Sequence, residues 1–438
     1  MGFRSTADCV ATLADWMRTR YGLAIGDSAR ANLATALAMA AAGRGIAAEE
    51  CLQRARLGDE QLLQTFVHAV TIHETYFFRH PEQFDLLRQI AKERLRARPG
   101  APVRALSAGC ASGEEAYSMA IALQSAAEGT SPTPRIEVLG IDIDDESLQK
   151  ARGACYGRWS LRQPLPPWSQ RSISYSGEDA GDVSPQYRAT VRFRSVNLHD
   201  SFLALLLAND APFDFIFCRN VLMYLVPTAA DRVARHLLNL LAPGGYLTFS
   251  PVDLDRIPKA ASHADDPTFL CRPIAIRNGV SNHDASPGQD GKSGSARARA
   301  AGRISNGRHL GEMLAEAKRL IDGGELTRAK AVCAELLKGH PDSPAALFLA
   351  AMVEMESGSG APAERLLLDA LQRQPDFALA HFALSTLLKK QGRGSEARAR
   401  LVRLSNLLAA LPADAVLAGP EEITCGWLRS VVNDHLNA

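Results

Sequence analysis

Two adjacent carboxylates begin a predicted helix directly after a turn of small residues. The segment Ser107–Ala120 reads SAGCASGEEAYSMA, with Gly109 and Gly113 in the turn and Glu114 and Glu115 after it. Glycines in such a turn allow a ligand to approach the backbone. The spacing is not G-x-G-x-x-G, and two carboxylates would repel a phosphate but attract a cation. The turn therefore favours the amino and sulfonium groups of S-adenosylmethionine and disfavours a nicotinamide-dependent oxidoreductase.

A second acidic position follows the next apolar run. Asp142 ends that run, about 30 residues past the glycine turn. An acid at this place in an α/β nucleotide fold accepts hydrogen bonds from ribose hydroxyls. The alternative is a helix N-cap, and we expect one of Asp142 and Asp144 to have that role.

Polar side chains also follow a later apolar run. Arg219 and Asn220 come directly after it, where open α/β sheets bind ligands. Tyr224 would lie one helical turn away on the same side, although a tyrosine here is also compatible with core packing. Arg79 stands in an aromatic segment at a predicted domain junction, where a guanidinium needs a partner.

The elements that must position these residues alternate between apolar strands and helices. Nearly continuous apolar strands separated by helices predict a parallel, doubly wound, Rossmann-like sheet. A proline-rich stretch at 158–194 predicts a small inserted β-subdomain, and the segment before the sheet reads as helices. The predicted strands are 103–109, 136–143, 191–198, 213–220 and 244–250.

Composition excludes several classes of protein. The chain has 438 residues, 22% of them charged, and a formal net charge of +1, which provides no general attraction to nucleic acid. No apolar stretch approaches the length of a membrane span, and the N-terminus does not resemble a secretory signal. Eight scattered cysteines without a C-x-x-C pair argue against zinc or disulfides and for a reducing cytoplasm. We expect no metal site, no nucleic-acid partner, no membrane insertion and a monomer.

The C-terminal part repeats itself every 34 residues. Small residues recur at two positions of the repeat, and proline recurs at a third. A period of 34 residues is typical of tetratricopeptide repeats. The repeating positions are Ala317, Ala351 and Ser385; Ala329, Ala363 and Ala397; and Pro341 and Pro375. We predict domains at 1–80 (helical), 81–278 (α/β) and 309–438 (all-α repeats with a C-terminal capping helix). A Gly/Ser/Arg-rich linker at 279–308 would join the last two.

Together these motifs resemble the CheR family, methyltransferases that use S-adenosylmethionine to esterify glutamate side chains of chemoreceptors. The resemblance covers about residues 10–278. It is carried by the blocks His73–Arg79, Ser107–Ala120, Gly140–Asp144, Phe213–Leu225 and Leu241–Thr248.

The resemblance implies a set of site residues. Arg79 and Tyr224 would lie beside the reacting groups. In the cofactor cleft that the resemblance implies, Glu115 would pair with the methionyl amine and Asp142 with the ribose. Glu114 would have a structural role and would not contact the cofactor. The cofactor contacts would be His73, Thr75, Arg79, Glu115, Asp142, Asn197, Leu198, Arg219 and Asn220.

Three departures from the family pattern accompany the match. The family usually has Asn at the position of His73, and commonly G-H-S-E where this chain reads Ser250–Asp253. The second N-terminal helix, which is basic in relatives, has only Arg30 and Arg44 at its margins, so the receptor contacts are expected to differ.

The expected partners are the cytoplasmic domain of a methyl-accepting chemoreceptor and, through the repeats, another signalling protein. A CheR-like domain followed by repeats is similar to methyltransferases of alternative chemosensory systems, such as the Wsp surface-sensing type, as well as of motility systems. The alternative is a catalytically degenerate interaction scaffold, against which the retained Arg79, Glu115, Asp142, Asn220 and Tyr224 argue.

Overall fold

The structure is a computed structural model that describes residues 6–175, 180–200, 203–207, 210–256, 269–271, 305–322, 325–413, 415–419 and 423–437. By backbone contacts the chain divides into two compact units. One unit combines Met1–Arg272 with His381–Ala438, and the other is Pro273–Ala380. The predicted linker at 279–308 lies outside the described residues except for its last four. The predicted domain limits stay predictions.

In the described residues, five helices precede the sheet, as the helical reading of this segment predicted. The helices are α1 (Thr6–Tyr21), α2 (Asp27–Arg44), α3 (Ala48–Arg56), α4 (Glu60–Val70) and α5 (Pro81–Ala97). Asp59 caps α4, since its carboxylate accepts a hydrogen bond from the Leu62 N–H at 3.1 Å. Leu13 and Met17, one turn apart in α1, are fully buried.

Nine strands form two sheets in the part of the chain that the structure describes. They are β1 (Val103–Ala108), β2 (Ile136–Asp142), β3 (Cys155–Gly157), β4 (Ile173–Tyr175), β5 (Ala180–Val183), β6 (Val191–Ser195), β7 (Phe213–Cys218), β8 (Leu241–Phe249) and β9 (Phe269–Cys271). The main sheet has the order β6-β2-β1-β7-β8-β9, and all of its pairs are parallel except β8 with β9. The doubly wound parallel sheet is therefore confirmed.

The sheet reverses its winding direction at β1, which pairs with β2 on one side and with β7 on the other. In open α/β sheets, ligands bind at the carboxyl ends of strands beside such a reversal. The helices between the strands are α6 (Glu114–Ala127), α7 (Asp145–Gly153), α8 (Pro185–Arg188), α9 (Leu203–Leu206) and α10 (Pro227–Leu240). The strand β7 is buried on both faces, as its apolar sequence FDFIFC predicts.

The inserted subdomain is the antiparallel sheet β3-β5-β4. It starts at Cys155, three residues before the predicted insertion. The last four residues of the predicted insertion, 191–194, belong instead to β6 of the main sheet.

The repeat region is all helical, as predicted. Its helices are α11 (Ser305–Asp322), α12 (Leu326–Gly339), α13 (Pro344–Glu356), α14 (Gly360–Arg373), α15 (Ala378–Lys390), α16 (Gly394–Ala409) and α17 (Cys425–Asn437). The six small residues at the two repeating positions are all buried, which allows paired helices to approach closely. The predicted capping helix corresponds to α17.

Within the first unit, the C-terminal segment contacts the sheet domain. The His435 ring in α17 is hydrogen-bonded to the backbone of Leu206, at the end of α9. Val416, Ile423 and Thr424 line a cavity whose other walls include Trp16 of α1. The end of the chain is thus packed against the N-terminal helices and the β6 edge of the sheet.

Within the described residues, no helix is both long enough and apolar enough to span a bilayer.

Candidate functional site

A cleft with an empty volume of about 1010 Å³, part of which opens to solvent, lies at the carboxyl edge of the main sheet. Ligand pockets of this size class accommodate molecules as large as nucleosides with an attached amino acid. All ten site residues predicted from sequence line it. They are His73, Thr75, Arg79, Glu115, Asp142, Asn197, Leu198, Arg219, Asn220 and Tyr224.

A buried ion pair crosses the floor of the cleft between α6 and the end of β7. Arg219 Nε donates to Glu115 Oε2 at 2.8 Å, and Ser107 Oγ donates to Glu115 Oε1 at 2.7 Å. Arg219 Nη1 donates to Gln83 Oε1 at 2.7 Å, so α5 also holds the guanidinium. The guanidinium carbon lies 5.0 Å from the ring centroid of Phe84. Arg219 thus fixes the carboxylate of Glu115 within the cleft.

The neighbouring Glu114 does not line the cleft. It is 1% exposed, and its two oxygens accept hydrogen bonds from Ser112 Oγ at 2.8 Å and Ser160 Oγ at 2.7 Å. Burial raises the pKa of Glu114, which these hydroxyl donors partly oppose. Since Ser160 follows β3, Glu114 ties the helix start to the inserted subdomain.

The two glycines of the turn have different surroundings. A Cβ on Gly109, which has a φ of +78°, would lie 2.4 Å from a methyl of Val221, another residue of the cleft wall. A Cβ on Gly113 would lie 2.7 Å from the Cβ of Ala151 and 2.9 Å from the ring of Phe193. Gly113 does not line the cleft, so it is required for the packing of α6 against α7 and β6 rather than for the approach of a ligand.

The two acidic residues after β2 have separate roles. Asp144 is the N-cap of α7, because its carboxylate accepts from the Ser147 N–H at 3.1 Å. Asp142 accepts from the backbone N–H groups of Ala111 at 2.8 Å and Asp144 at 3.0 Å, and it faces the cleft. Burial raises the pKa of Asp142, and those two N–H donors oppose the rise. The expectation that one of the pair caps a helix is met by Asp144.

Asn197 connects the cleft to α1. Its side-chain amide donates to the Arg20 carbonyl at 2.9 Å and to Asp200 Oδ1 at 3.1 Å, and its oxygen accepts from the His199 N–H at 3.0 Å. Leu198, the next residue, lines the cleft as well. The side chain of Asn197 therefore fixes the position of α1 relative to the loop after β6.

The turn that carries Asn220 and Tyr224 is held by a residue that the sequence reasoning did not assign. The Asp253 carboxylate accepts from the Asn220 N–H at 2.8 Å and the Met223 N–H at 3.0 Å. It also accepts from Ser250 Oγ. Asn220 has a φ of +56°, a left-handed conformation that needs such support. The segment Ser250–Asp253, which departs from the family pattern, thus stabilises the turn of Asn220 and Tyr224. In the sequence, that departure was the sign that this segment matters.

Arg79 and Thr75 line the cleft from the segment between α4 and α5. The Arg79 guanidinium donates to the Glu74 carbonyl at 3.2 Å and lies 5.7 Å from the Tyr76 ring centroid. Arg162 of the inserted subdomain lies closer to that ring, at 3.8 Å, and forms an ion pair with Glu74, but it does not line the cleft. The two arginines thus share an aromatic neighbour, and only Arg79 reaches the cleft.

His73 lines the cleft and also belongs to a cluster beside it. Its Nε2 lies 2.9 Å from Asp144 Oδ2 and 2.7 Å from Thr71 Oγ1. Burial of Asp144 raises its pKa, but hydrogen bonds from His73, Ser147 and His68 outweigh that effect and hold the pKa of Asp144 well below its usual range.

The N-terminal helices supply part of the cleft that the sequence did not reveal. Tyr21 at the end of α1 and Leu23 after it line the cleft. The Ala24 N–H donates to the Tyr224 carbonyl at 2.8 Å, and the Val226 N–H donates to the Gly22 carbonyl at 2.8 Å. This short antiparallel pairing fixes the N-terminal helices to the turn after β7.

Two family models match the chain. Residues 73–250 match the CheR methyltransferase, SAM binding domain, and residues 320–381 match the tetratricopeptide repeat.

Two curated relatives match most of the chain, and a third matches about half of it. The chain is 28% identical over 413 residues to the probable biofilm formation methyltransferase WspC of Pseudomonas aeruginosa. The match covers 87% of this chain and 95% of that protein. The chain is 30% identical over 374 residues to the protein of the same name from Pseudomonas putida, covering 78% and 84% respectively. A chemotaxis protein methyltransferase of Salmonella typhimurium is 36% identical over 217 residues, covering 49% of this chain and 67% of that protein.

Proposed function

Because this chain belongs to the CheR methyltransferase family, we propose that it methylates glutamate side chains on a methyl-accepting chemoreceptor. The products would be the glutamate methyl ester and S-adenosylhomocysteine. The observation that carries the proposal is a single cleft that combines two carboxylates held by hydrogen bonds, Glu115 and Asp142, with the guanidinium of Arg79. That guanidinium donates to a backbone carbonyl and lies beside a tyrosine ring.

S-adenosylmethionine is the cofactor, and when bound it supplies an activated methyl group. The cleft residues fit its chemistry. Each oxygen of Glu115 and Asp142 accepts a hydrogen bond from the protein and retains capacity for another. Glu115 would bind the methionyl amine and Asp142 the ribose hydroxyls. Arg219 orients the carboxylate of Glu115, whereas Asn197 positions the wall formed by α1.

The proposed substrate group needs no general base. A glutamate carboxylate is ionised at pH 7, so the chain has only to bind it, orient it and exclude water. Arg79 would place the carboxylate, and Tyr224 would align it from the turn held by Asp253. Tight pairing with Arg79 would weaken the nucleophile, so placement rather than charge neutralisation is its proposed role.

The test compares two arginines that share the Tyr76 ring. Purified full-length protein, labelled S-adenosylmethionine and the cytoplasmic domain of a candidate receptor are combined, and ester is measured as base-released methanol. Arg79→Ala should lower ester formation by about 100-fold or more, since misplacement of a reacting group costs that much. Arg162→Ala is the matched control and should retain most of the rate, because Arg162 does not line the cleft.

Two results would contradict the assignment. One is full activity of Arg79→Ala, and the other is an equal loss in both variants, which would indicate disruption of the aromatic segment. Thermal unfolding of both variants controls for folding. If the protein is an enzyme, calorimetry should detect binding of S-adenosylhomocysteine to the parent protein. If it is an inactive scaffold, calorimetry should detect no binding.

The repeats are proposed to bind a protein, either the receptor or another signalling component, because stacked tetratricopeptide helices present an extended surface. Two relatives named for biofilm formation span both the methyltransferase domain and the repeats. We therefore propose a receptor of a biofilm-type chemosensory system as the first candidate, methylated on its cytoplasmic domain.

A further inference from the structure

Two histidines and a carboxylate converge beside the cofactor cleft. His68 lies in α4, His73 lies five residues later, and Asp144 caps α7. One ligand atom from each lies within 4.8 Å of the other two. His68 Nδ1 is 3.2 Å and His73 Nε2 is 2.9 Å from Asp144 Oδ2.

These distances match the ligand spacing of a small tetrahedral ion. With bonds of about 2.0–2.1 Å, neighbouring ligand atoms of a tetrahedral zinc site lie about 3.3 Å apart. The two imidazole rings stack with their centroids 4.5 Å apart, which brings both nitrogens to the same carboxylate. Both nitrogen-to-oxygen distances therefore lie within about 0.4 Å of this tetrahedral spacing.

Neighbouring polar groups orient the three side chains, as the hydrogen-bond partners of metal ligands do. Ser147 donates to Asp144 Oδ2 from its N–H at 3.1 Å and from its Oγ at 2.6 Å. The other nitrogen of His68, Nε2, lies 3.5 Å from a carboxylate oxygen of Glu146. A carboxylate behind a ligating histidine is the common arrangement in metal sites, because it fixes the tautomer and raises the basicity of the ligand.

From this arrangement we propose that His68, His73 and Asp144 bind a divalent first-row transition-metal ion, with Zn²⁺ as the probe. Two imidazoles and one carboxylate suit zinc, nickel, copper and ferrous iron, whereas Mg²⁺ and Ca²⁺ prefer oxygen ligands only. The two histidine side chains are 39% and 29% exposed, so water can reach the ion and complete its coordination.

An ion at this site would act on the cofactor through charge. With neutral histidines the three side chains carry a charge of −1, and a divalent ion changes that to +1. The backbone N–H of Asp144 donates to Asp142 in the cleft at 3.0 Å, and His73 itself lines the cleft. The bound ion should therefore weaken binding of the sulfonium-bearing cofactor more than binding of uncharged-sulfur S-adenosylhomocysteine.

Zinc titration by calorimetry tests the site. The full-length chain is used without an affinity tag and with Cys155→Ser, since Cys155 is an exposed thiol that could bind zinc by itself. We expect one ion per chain with a dissociation constant of about 10 µM or tighter. The double variant His68→Gln, His73→Asn should bind about 100-fold more weakly, because it loses both imidazole ligands.

His340→Gln is the matched control, a partly exposed histidine in the repeats, and it should bind like the parent. Unfolding temperatures in chelator show whether the variants fold. The absence of saturable binding in the parent, or equal binding by the double variant, would overturn the site. A zinc-independent affinity ratio between S-adenosylmethionine and S-adenosylhomocysteine would overturn its effect on the cofactor.

Discussion

The most specific structural prediction concerns Asp253, which holds the turn of Asn220 and Tyr224 without touching the cleft. Its side chain is fully buried and accepts two backbone N–H groups, from Asn220 and Met223. Asp253→Ala removes the carboxylate acceptor of both N–H groups. The Asn220 N–H keeps Ser250 Oγ at 3.2 Å as a second acceptor, whereas the Met223 N–H loses its carboxylate partner. Asp253→Asn keeps one acceptor oxygen and should satisfy one of the two N–H groups.

The magnitude follows from the hydrogen bonds lost. A hydrogen bond to a charged group contributes about 1.5–3 kcal/mol, and an orphaned buried donor costs a similar amount. We therefore expect Asp253→Ala to lower the free energy of unfolding by about 3–5 kcal/mol and Asp253→Asn by about 1.5–3 kcal/mol. Ser250→Ala removes one neutral hydroxyl from the same network and should cost about 1 kcal/mol.

Binding provides the second measurement. Asn220 and Tyr224 line the cleft, so release of their turn should weaken S-adenosylhomocysteine binding about 10-fold or more, which corresponds to about 1.4 kcal/mol. Calorimetry at a temperature well below the unfolding transition of each variant separates binding from folding. The reasoning would be refuted if Asp253→Ala were no less stable than Ser250→Ala and bound the ligand as the parent does.

Two further predictions concern buried titratable groups. Glu115→Gln should destabilise the protein by about 3–5 kcal/mol and weaken S-adenosylhomocysteine binding, because it leaves the buried Arg219 without a counter-charge. Glu114→Gln, the adjacent control outside the cleft, should leave ligand affinity unchanged in the same calorimetric assay; equal affinities in both variants would contradict the role of Glu115. Burial, followed by the charge of Arg194, lowers the pKa of His435 to about 4 from 6.5. The unfolded chain therefore binds a proton first, and stability relative to His435→Gln should fall by up to about 3 kcal/mol as the pH drops from 6.5 to 4, measured by thermal unfolding. A pH-independent difference between those two proteins would contradict this linkage.

The main sheet was predictable because its strands carry a strong local signal. The runs at 103–109, 136–143 and 213–220 are nearly continuously apolar, as strands buried on both faces must be. Their ends also revealed most of the cleft, since the carboxyl ends of parallel strands meet at one edge. The 34-residue period identified the repeats for a similar reason, because small residues at helix contacts recur in register.

What the sequence did not reveal depends on contacts between distant residues. Gln83 and Arg219 are separated by 136 residues, and His68 and Asp144 by 76. Such pairs leave no periodicity or local spacing to recognise. His68, His73 and Asp144 did not stand out as a group, because the histidines are five residues apart and the carboxylate comes from another element. In the sequence, Asp253 stood out because Ser250–Asp253 departs from the family pattern. That departure did not indicate which groups the Asp253 side chain binds.

The division of the chain into units gives the repeats an unusual connectivity. Residues before 273 and after 380 belong to the same compact unit, so 273–380 is an insertion joined to that unit at both ends. A cut at a protease site engineered into 279–308 would break one of the two covalent connections and leave 309–380 attached through α15. Removal of everything after residue 308 would also strip Val416, Ile423 and Thr424 from the cavity beside α1. Tyr21 and Asn197 line both that cavity and the cofactor cleft. A truncation that removes the repeats therefore also removes contacts beside two residues of the cofactor cleft, so a loss of activity in it would not by itself measure the role of the repeats.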